Sequence, residues 1–169
     1  CLIIALLAMA FARPFLKNES QELVSIEPGR SHIILIDQSA SMLRADLFQR
    51  AIDQVKETAA AFAPTDKVSV YAFSDTIEQD ISFDQWAAIL PNAQQARLDK
   101  ELSEQKPAWK STSLGFAIDA TLAEFDQLRN GTDLQQKHSL TVISDFAKGS
   151  RITELANTEW PENLSLDFK

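Results

Sequence analysis

The sequence predicts an α/β fold of the Rossmann-like, doubly wound kind, in which helices flank a mostly parallel sheet. Apolar runs of strand length alternate along the chain with amphipathic segments of helical spacing, which is the order of βαβ units. Two of the apolar runs end in an aspartate, Asp37 and Asp145, at the edge where such sheets bind ligands. A length of 169 residues fits one domain.

The first half of the chain predicts strands on either side of a helix. Residues 31–37 contain the continuous apolar run 33–36 and end in Asp37, which is typical of a strand that is buried on both faces. Residues 43–62 place apolar side chains three and four positions apart, which predicts one helix, and Pro64 follows it. Residues 68–73 are rich in β-branched and aromatic residues and predict the second strand. A short additional strand is expected between residues 76 and 83.

The second half continues the alternation of helices and strands. Its expected elements are a helical stretch over residues 84–106 that Pro91 divides, a helix over 114–128, a strand over 139–144, a short helix over 152–157 and a strand over 164–168.

The amino-terminal segment predicts a membrane attachment. Residues 1–11 are apolar throughout, but a helix needs about 20 such residues to span a bilayer. We therefore expect residues 1–16 to be the last part of a transmembrane helix, residues 17–29 a linker and residues 30–169 the folded domain. The alternatives are the tail of a signal-peptide hydrophobic region, and a lipidated Cys1 or a buried core segment. Because the chain begins with Cys rather than Met, we expect it to be a fragment.

The bulk composition excludes some classes of protein. The net charge is −8, which disfavours a nucleic-acid-binding protein because such a protein needs a basic patch. Cys1 is the only cysteine, so neither an internal disulfide nor a cysteine-based metal site is expected within one chain.

The first predicted strand leads into a cluster of oxygen-bearing side chains. Asp37, Ser39 and Ser41 are spaced two residues apart and would point the same way in extended chain. Carboxylate and hydroxyl oxygens are hard ligands that suit Mg²⁺, Mn²⁺ or Ca²⁺ rather than zinc or copper. The alternatives are a turn residue at Asp37 and serines that cap the following helix.

Two further residues are expected at the same edge of the sheet. Asp145 ends a later strand, and Thr112 lies in the segment before the helix that begins near Leu114. Thr112 or Ser113 could instead cap that helix. Two carboxylates and three hydroxyls, completed by water, could form an octahedral oxygen shell. An acidic group from another protein could then complete that shell, which is a means of docking.

Residues 37–42 resemble the D-x-S-x-S sequence of the metal-ion-dependent adhesion site, or MIDAS, of von Willebrand factor A (vWA) domains. The likeness extends over about residues 28–169, and it is carried further by residues 67–75, 111–114 and 142–145. The resemblance implies a vWA fold and a bound divalent cation, with Mg²⁺ the first expectation. It also implies a protein partner that offers an Asp or Glu side chain to the metal. The metal ligands that it implies are Asp37, Ser39, Ser41, Thr112 and Asp145.

The sequence departs from the vWA pattern at several positions. Phe146 stands where the family usually has glycine, so the loop after Asp145 is expected to differ. Lys110 and Ser111 replace the common glycines before the threonine, and Ala40 replaces a frequent glycine. We also expect the domain to be incomplete at its carboxyl end, without the final strand and helix.

The apolar start, the short linker and the A domain together resemble the bacterial aerotolerance (BatA-like) membrane proteins. This resemblance implies a bacterial inner-membrane protein whose vWA domain lies outside the cytoplasm. It also implies partnership with a MoxR-type AAA ATPase.

Several enzyme classes are disfavoured by missing residues. Ser39 stands where a haloacid-dehalogenase-type phosphotransferase needs a second acid. The chain has no Gly-x-Ser-x-Gly elbow and no glycine-rich phosphate loop. His32 and His138 open strands at the opposite edge from Asp37, so we expect them to be structural or solvent-facing. We therefore expect a binding module rather than an enzyme; a metal-independent scaffold is the alternative, and a metal-assisted hydrolase ranks last.

The three tryptophans have a simple expected role. Trp86, Trp109 and Trp160 are expected to pack in the core or at its rim. Trp109 has a second interpretation, as part of the rim of the docking face, because it lies three residues before Thr112.

Overall fold

The computed structural model describes residues 29–129, 137–147, 149–161 and 163–169, and the strands among them form one five-stranded sheet. The spatial order is β3-β2-β1-β4-β5. Strands β1, β2, β4 and β5 are parallel, and β3 is antiparallel to β2 at one edge. The predicted mostly parallel sheet is therefore confirmed. The strands are β1 (Ser31–Asp37), β2 (Lys67–Phe73), β3 (Ile77–Ile81), β4 (His138–Ile143) and β5 (Leu164–Phe168).

Four α-helices and two 3₁₀ turns connect the strands within the described residues. Pro91 divides the second helical stretch as predicted, because it occupies the first turn of a new helix, where its missing N–H costs nothing. The helices are α1 (Leu47–Ala60), α2 (Phe83–Ala87), α3 (Pro91–Glu104) and α4 (Leu114–Arg129), and the 3₁₀ turns are Ala40–Leu43 and Thr153–Asn157.

The single helix predicted over residues 43–62 is wrong at its start. The chain forms a 3₁₀ turn over Ala40–Leu43 and begins α1 only at Leu47. Arg44 between them is extended, with φ −75° and ψ 126°, and Ala45 has a left-handed φ of 47°. Neither conformation can continue a right-handed helix. The helical spacing of apolar residues therefore predicted helix at residues 43–46, where the chain instead forms the end of a 3₁₀ turn and a bend.

Side chains of β1 alternate between two cores on opposite faces of the sheet. Ile34 and Ile36 pack with buried residues of α1 and α3, whereas Ile33 and Leu35 pack with buried residues of α4. All four are fully buried, and burying each contributes about 1.5–3 kcal/mol. The continuous apolar run is thus explained by helices on both faces, as the doubly wound fold requires.

The chain reverses its direction of winding around β1. It passes first to β2 on one side and later to β4 on the other. The carboxyl ends of β1 and β4 therefore meet at a topological switch point, where open α/β sheets bind ligands. Asp37 ends β1, and Asp145 follows the end of β4 by two residues.

The predicted membrane segment, residues 1–16, and most of the predicted linker lie outside the described residues. Within the described ranges, the helices are too short or too polar to cross a bilayer.

Candidate metal centre

Asp37 is a fully buried carboxylate at the end of β1. Its Oδ1 accepts a hydrogen bond from the backbone N–H of Ser39 at 2.8 Å. Its Oδ2 accepts one from the Ser144 hydroxyl at 2.5 Å. Burying a charged carboxylate is costly unless such donors replace water. The two bonds therefore fix the orientation of Asp37 and join the β1 and β4 exit loops.

The two serines after Asp37 lead to the second carboxylate. The Ser41 hydroxyl donates to Asp145 Oδ1 at 2.8 Å, and the Ser39 and Ser41 hydroxyls share a hydrogen bond of 3.0 Å. Because the Ser41 proton is committed to Asp145, Ser39 is the donor between the serines. The structure therefore brings Asp37, Ser39, Ser41 and Asp145 into one cluster.

The capping alternative for these serines is wrong. Ser39 is the N-cap residue of the 3₁₀ turn, but its side chain makes no capping hydrogen bond. The Ser41 hydroxyl points across to Asp145 instead. Both hydroxyls therefore belong to the cluster rather than to a helix terminus.

The segment before α4 is fastened to the same loop by two backbone hydrogen bonds. The Ala108 N–H donates to the Gln38 carbonyl at 2.8 Å. The Ala40 N–H donates to the Lys110 carbonyl at 2.9 Å. A third backbone bond, from Ser113 N–H to the Ser74 carbonyl at 2.8 Å, ties the segment to the end of β2.

Thr112 lies within that fastened segment. Its hydroxyl oxygen is buried and has no hydrogen-bond partner, so it does not cap α4. An unsatisfied buried polar group costs about 1–3 kcal/mol, and such a group is retained where a ligand satisfies it. Thr112 is therefore held near the site by the backbone bonds of its neighbours Lys110 and Ser113, while its own hydroxyl makes no bond to the other four residues.

Sequence reasoning missed Ser144, whose hydroxyl donates to Asp37 and accepts from the Phe146 N–H at 3.1 Å. The register between β1 and β4 would have identified this residue. Ile36 of β1 pairs with Ile143 of β4, so the next position along places Ser144 beside Asp37.

Phe146 has a left-handed φ of 46°. This conformation costs glycine nothing but is unfavourable for a bulky side chain. Position 146, where this sequence has phenylalanine instead of the family's usual glycine, therefore keeps a backbone conformation that favours glycine.

Arg44 is the second residue that sequence reasoning missed. Its guanidinium Nη2 forms an ion pair with Asp145 Oδ2, and its Nε donates to the Ser41 carbonyl at 3.0 Å. Asp145 Oδ1 also accepts from the Ala147 N–H at 3.2 Å. Both oxygens of Asp145 are therefore engaged within the chain.

A family model described as the von Willebrand factor type A domain matches residues 32–148, which is more than half of the chain. The chain belongs to this family.

Solved structures share the vWA fold with this chain. Proximal thread matrix protein 1 from the mussel byssus is 16% identical, with a TM-score of 0.62, and the match covers 83% of this chain and 39% of that one. The ArnB paralog VWA2 from Sulfolobus acidocaldarius is 20% identical, with a TM-score of 0.56, over 83% of this chain and 36% of that one.

Another structure of the mussel protein is described as having a zinc-occupied MIDAS motif. It is 14% identical, with a TM-score of 0.59, over 83% of this chain and 39% of that one. This vWA chain thus spans less than two fifths of the length of these structures. No curated protein sequence matches it significantly.

A polar network connects the loop after β1 of this vWA domain to the sheet edge. Gln38 Nε2 donates to Gln105 Oε1, and Gln105 Nε2 donates to Asp80 Oδ1 at 2.7 Å. Burial raises the pKa of Asp80 to about 6; the Gln105 bond opposes that shift, and nearby Glu101 and Glu78 add to it. Asp80 Oδ2 is buried without a hydrogen-bond partner. The deprotonated form of Asp80 therefore destabilises the fold.

We expect Asp80→Asn to stabilise this vWA domain at neutral pH. Folding raises the pKa of Asp80, so the protonated carboxyl favours the folded state. The stability that this provides is fully present below about pH 4 and is lost as pH rises through about 6. The gain from the substitution should therefore be about 1 kcal/mol at about pH 7.5, allowing for partial solvent screening, and near zero at about pH 4. Urea unfolding at both pH values measures it. Asp53→Asn, at an exposed position of α1, is the control, and a gain that does not depend on pH would contradict the assignment.

The tryptophans and histidines divide between packing and surface roles. Trp86 is buried as predicted, but Trp109 is 88% exposed, so plain packing is wrong for Trp109. His32 stacks on Phe62 with ring centroids 3.8 Å apart and bonds to Asp66 at 3.2 Å. Both histidines are buried, so they are structural rather than solvent-facing.

Proposed function

We propose that this vWA domain is a divalent-cation-dependent protein-interaction module that docks an acidic group of a partner protein. Asp37, Ser39, Ser41, Thr112 and Asp145 would hold the ion, which we propose is Mg²⁺, with Mn²⁺ or Ca²⁺ as substitutes. The bound ion would supply an open position that accepts a carboxylate oxygen.

The chemistry of the donor set supports a hard cation. All five side chains offer oxygen, which is the ligand preference of Mg²⁺, Mn²⁺ and Ca²⁺. Across the described ranges there is no cluster of three or more His, Cys, Asp or Glu side chains suited to a metal. The proposed donors are three hydroxyls and two carboxylates. Carboxylates held through water rather than directly would leave charge on the ion for an acidic partner.

The unpartnered hydroxyl of Thr112 carries the proposal. A buried threonine with a purely structural role bonds to a neighbouring carbonyl, as Thr121 does within α4 to Ala117 and Ile118. Thr112 forgoes such a bond, although backbone bonds on both sides fix its segment at the site. The mussel structure described with a zinc-occupied MIDAS motif supports, by analogy, divalent-metal binding in this fold.

The surrounding residues orient the ligands for this role. Ser144 and the Ser39 N–H hold Asp37, so that carboxylate is fixed before any ion arrives. Ser41 already bonds to Asp145, and Ser39 bonds to Ser41. This arrangement limits the side-chain entropy that ion binding would cost.

The test is a calorimetric titration of the full chain, in detergent micelles, with Mg²⁺ and with Mn²⁺. We expect Thr112→Val to weaken ion binding about tenfold without loss of thermal stability, because the substitution removes an unsatisfied hydroxyl. The matched control is Thr121→Val, which removes a hydroxyl whose one proton is shared between the Ala117 and Ile118 carbonyls within α4. The control should lower stability and leave ion affinity unchanged.

Two outcomes would contradict the proposal. One is the absence of a saturable response to either ion in the unmodified chain. The other is equal ion affinity in Thr112→Val and the unmodified chain, which would show that the hydroxyl is no ligand.

A metal-independent scaffold is the second candidate, and one observation favours it. Asp145 is already satisfied within the chain by Ser41, Ala147 and Arg44, so the cluster is stable without an ion. Partner capture that persists in the presence of a chelator would support the scaffold.

The wider setting rests on the sequence resemblance to BatA-like proteins. We propose a bacterial inner-membrane protein, anchored by residues 1–16, with its vWA domain outside the cytoplasm. A MoxR-type AAA ATPase would belong to the same system. We propose binding rather than catalysis, because both histidines of the chain lie at the amino-terminal ends of their strands, opposite to Asp37.

A further inference from the structure

Arg44 places a cation of the chain itself on one of the proposed metal ligands. The guanidinium pairs with Asp145 Oδ2, and its Nε is anchored on the Ser41 carbonyl at 3.0 Å. Both contacts belong to proposed ligand residues. An ion that takes Asp145 Oδ2 directly would have to displace the guanidinium.

The local backbone directs Arg44 to this position. Arg44 is the residue that ends the 3₁₀ turn, and its own N–H donates back to the Ser41 carbonyl at 3.3 Å. The left-handed Ala45 then turns the chain away towards α1. The side chain is therefore carried back over the serines rather than along the helix.

The contact combines a buried anion with an exposed cation. The Asp145 side chain is 9% exposed, whereas that of Arg44 is 66% exposed. The guanidinium of this pair lies largely in water, which screens its charge. The guanidinium can therefore leave without opening the fold, and a doubly charged ion can replace it.

We propose that Arg44 sets the ion affinity of this site by competing with the divalent cation for Asp145. The inference rests on the proposed function and adds a residue that opposes ion binding to the five that would favour it. In its paired position Arg44 neutralises Asp145 when the ion is absent. Ion binding releases Arg44 into solvent at the rim of the docking face.

The experiment compares Arg44→Gln with Arg50→Gln in the full chain. Arg50 pairs with Asp46 at 3.1 Å and is 62% exposed, so it matches Arg44 in charge and exposure. Only Arg44 bonds to a proposed ligand. Calorimetry with Mg²⁺ measures the dissociation constant, and thermal unfolding in chelator measures the stability of the ion-free fold.

We expect Arg44→Gln to bind Mg²⁺ about three- to tenfold more tightly than the unmodified chain. Arg50→Gln should change affinity less than about twofold. In chelator, Arg44→Gln should unfold at a slightly lower temperature, because Asp145 loses its cation. Arg44→Lys should stay close to the unmodified chain in affinity, since it keeps the charge.

The outcomes separate the inference from the proposed function. If the unmodified chain binds Mg²⁺ and Arg44→Gln binds no more tightly than Arg50→Gln, competition by Arg44 is wrong and the docking proposal stands. If neither the unmodified chain nor either variant binds an ion, the docking proposal and the inference both fail.

Discussion

Replacing Asp37 with asparagine is expected to weaken Mg²⁺ binding by at least about 100-fold, because even residues that only orient a metal ligand contribute 10- to 100-fold. The asparagine oxygen can still accept from the Ser39 N–H, and its amide can donate to Ser144. The substitution therefore removes a charge while the local hydrogen bonds are kept. Calorimetry measures the affinity, and circular dichroism verifies the fold.

The control for Asp37→Asn is Asp75→Asn. Asp75 lies just after the end of β2 and forms an exposed pair with Lys110 at 3.3 Å, so it adds negative charge without being a proposed ligand. We expect its loss to change affinity less than about threefold. Equal effects of the two substitutions would mean that general negative charge attracts the ion and that no specific site exists.

The positions of the proposed ligands could be predicted because strand ends determine them. Asp37 follows the apolar run 33–36, Asp145 closes the β-rich run 139–144, and parallel strands bring their carboxyl ends to one edge. The two-residue spacing then directed attention to Ser39 and Ser41, which the structure joins to Asp145 through hydrogen bonds. The extended chain assumed for these residues is wrong, because β1 ends at Asp37 and Ser41 lies in the 3₁₀ turn.

Arg44 could not be found in the same way. Its contact with Asp145 depends on the break between the 3₁₀ turn and α1, and the break depends on a left-handed φ at Ala45. Alanine gives no sequence signal for that conformation, since it favours helices. The apolar period of residues 43–62 predicted a continuous helix, which would carry Arg44 in another direction.

The role of Ser144 in orienting Asp37 could not be predicted, because it depends on the pairing of distant strands. It required the register of β1 against β4, two strands that lie about 100 residues apart in sequence. The sequence shows a serine before Asp145, but only strand pairing places it beside Asp37. Contacts that depend on strand register or on a single unusual backbone angle therefore could not be predicted from the sequence. Contacts that depend on where strands end could be predicted.

The second large effect is expected from Phe125→Ala in α4. Phe125 is 1% exposed and contacts the rings of Phe83 and His138, with centroids 6.5 and 4.7 Å away. Its truncation should destabilise the domain by about 3–5 kcal/mol, because the lost contacts leave a cavity between helix and sheet. Urea unfolding should show a lower midpoint with an unchanged slope.

Phe116→Ala provides the matched control for Phe125→Ala, because Phe116 lies on the same helix but is 47% exposed. We expect Phe116→Ala to cost less than about 1 kcal/mol.

Phe125 lies 13 residues after Thr112, which is about 20 Å along a helix, so the folded fraction of Phe125→Ala should keep its ion affinity. Asp37→Asn should show the reverse pattern, with stability retained and ion affinity lost. Loss of both properties in Phe125→Ala would mean that the α4 core and the proposed metal site are one cooperative unit.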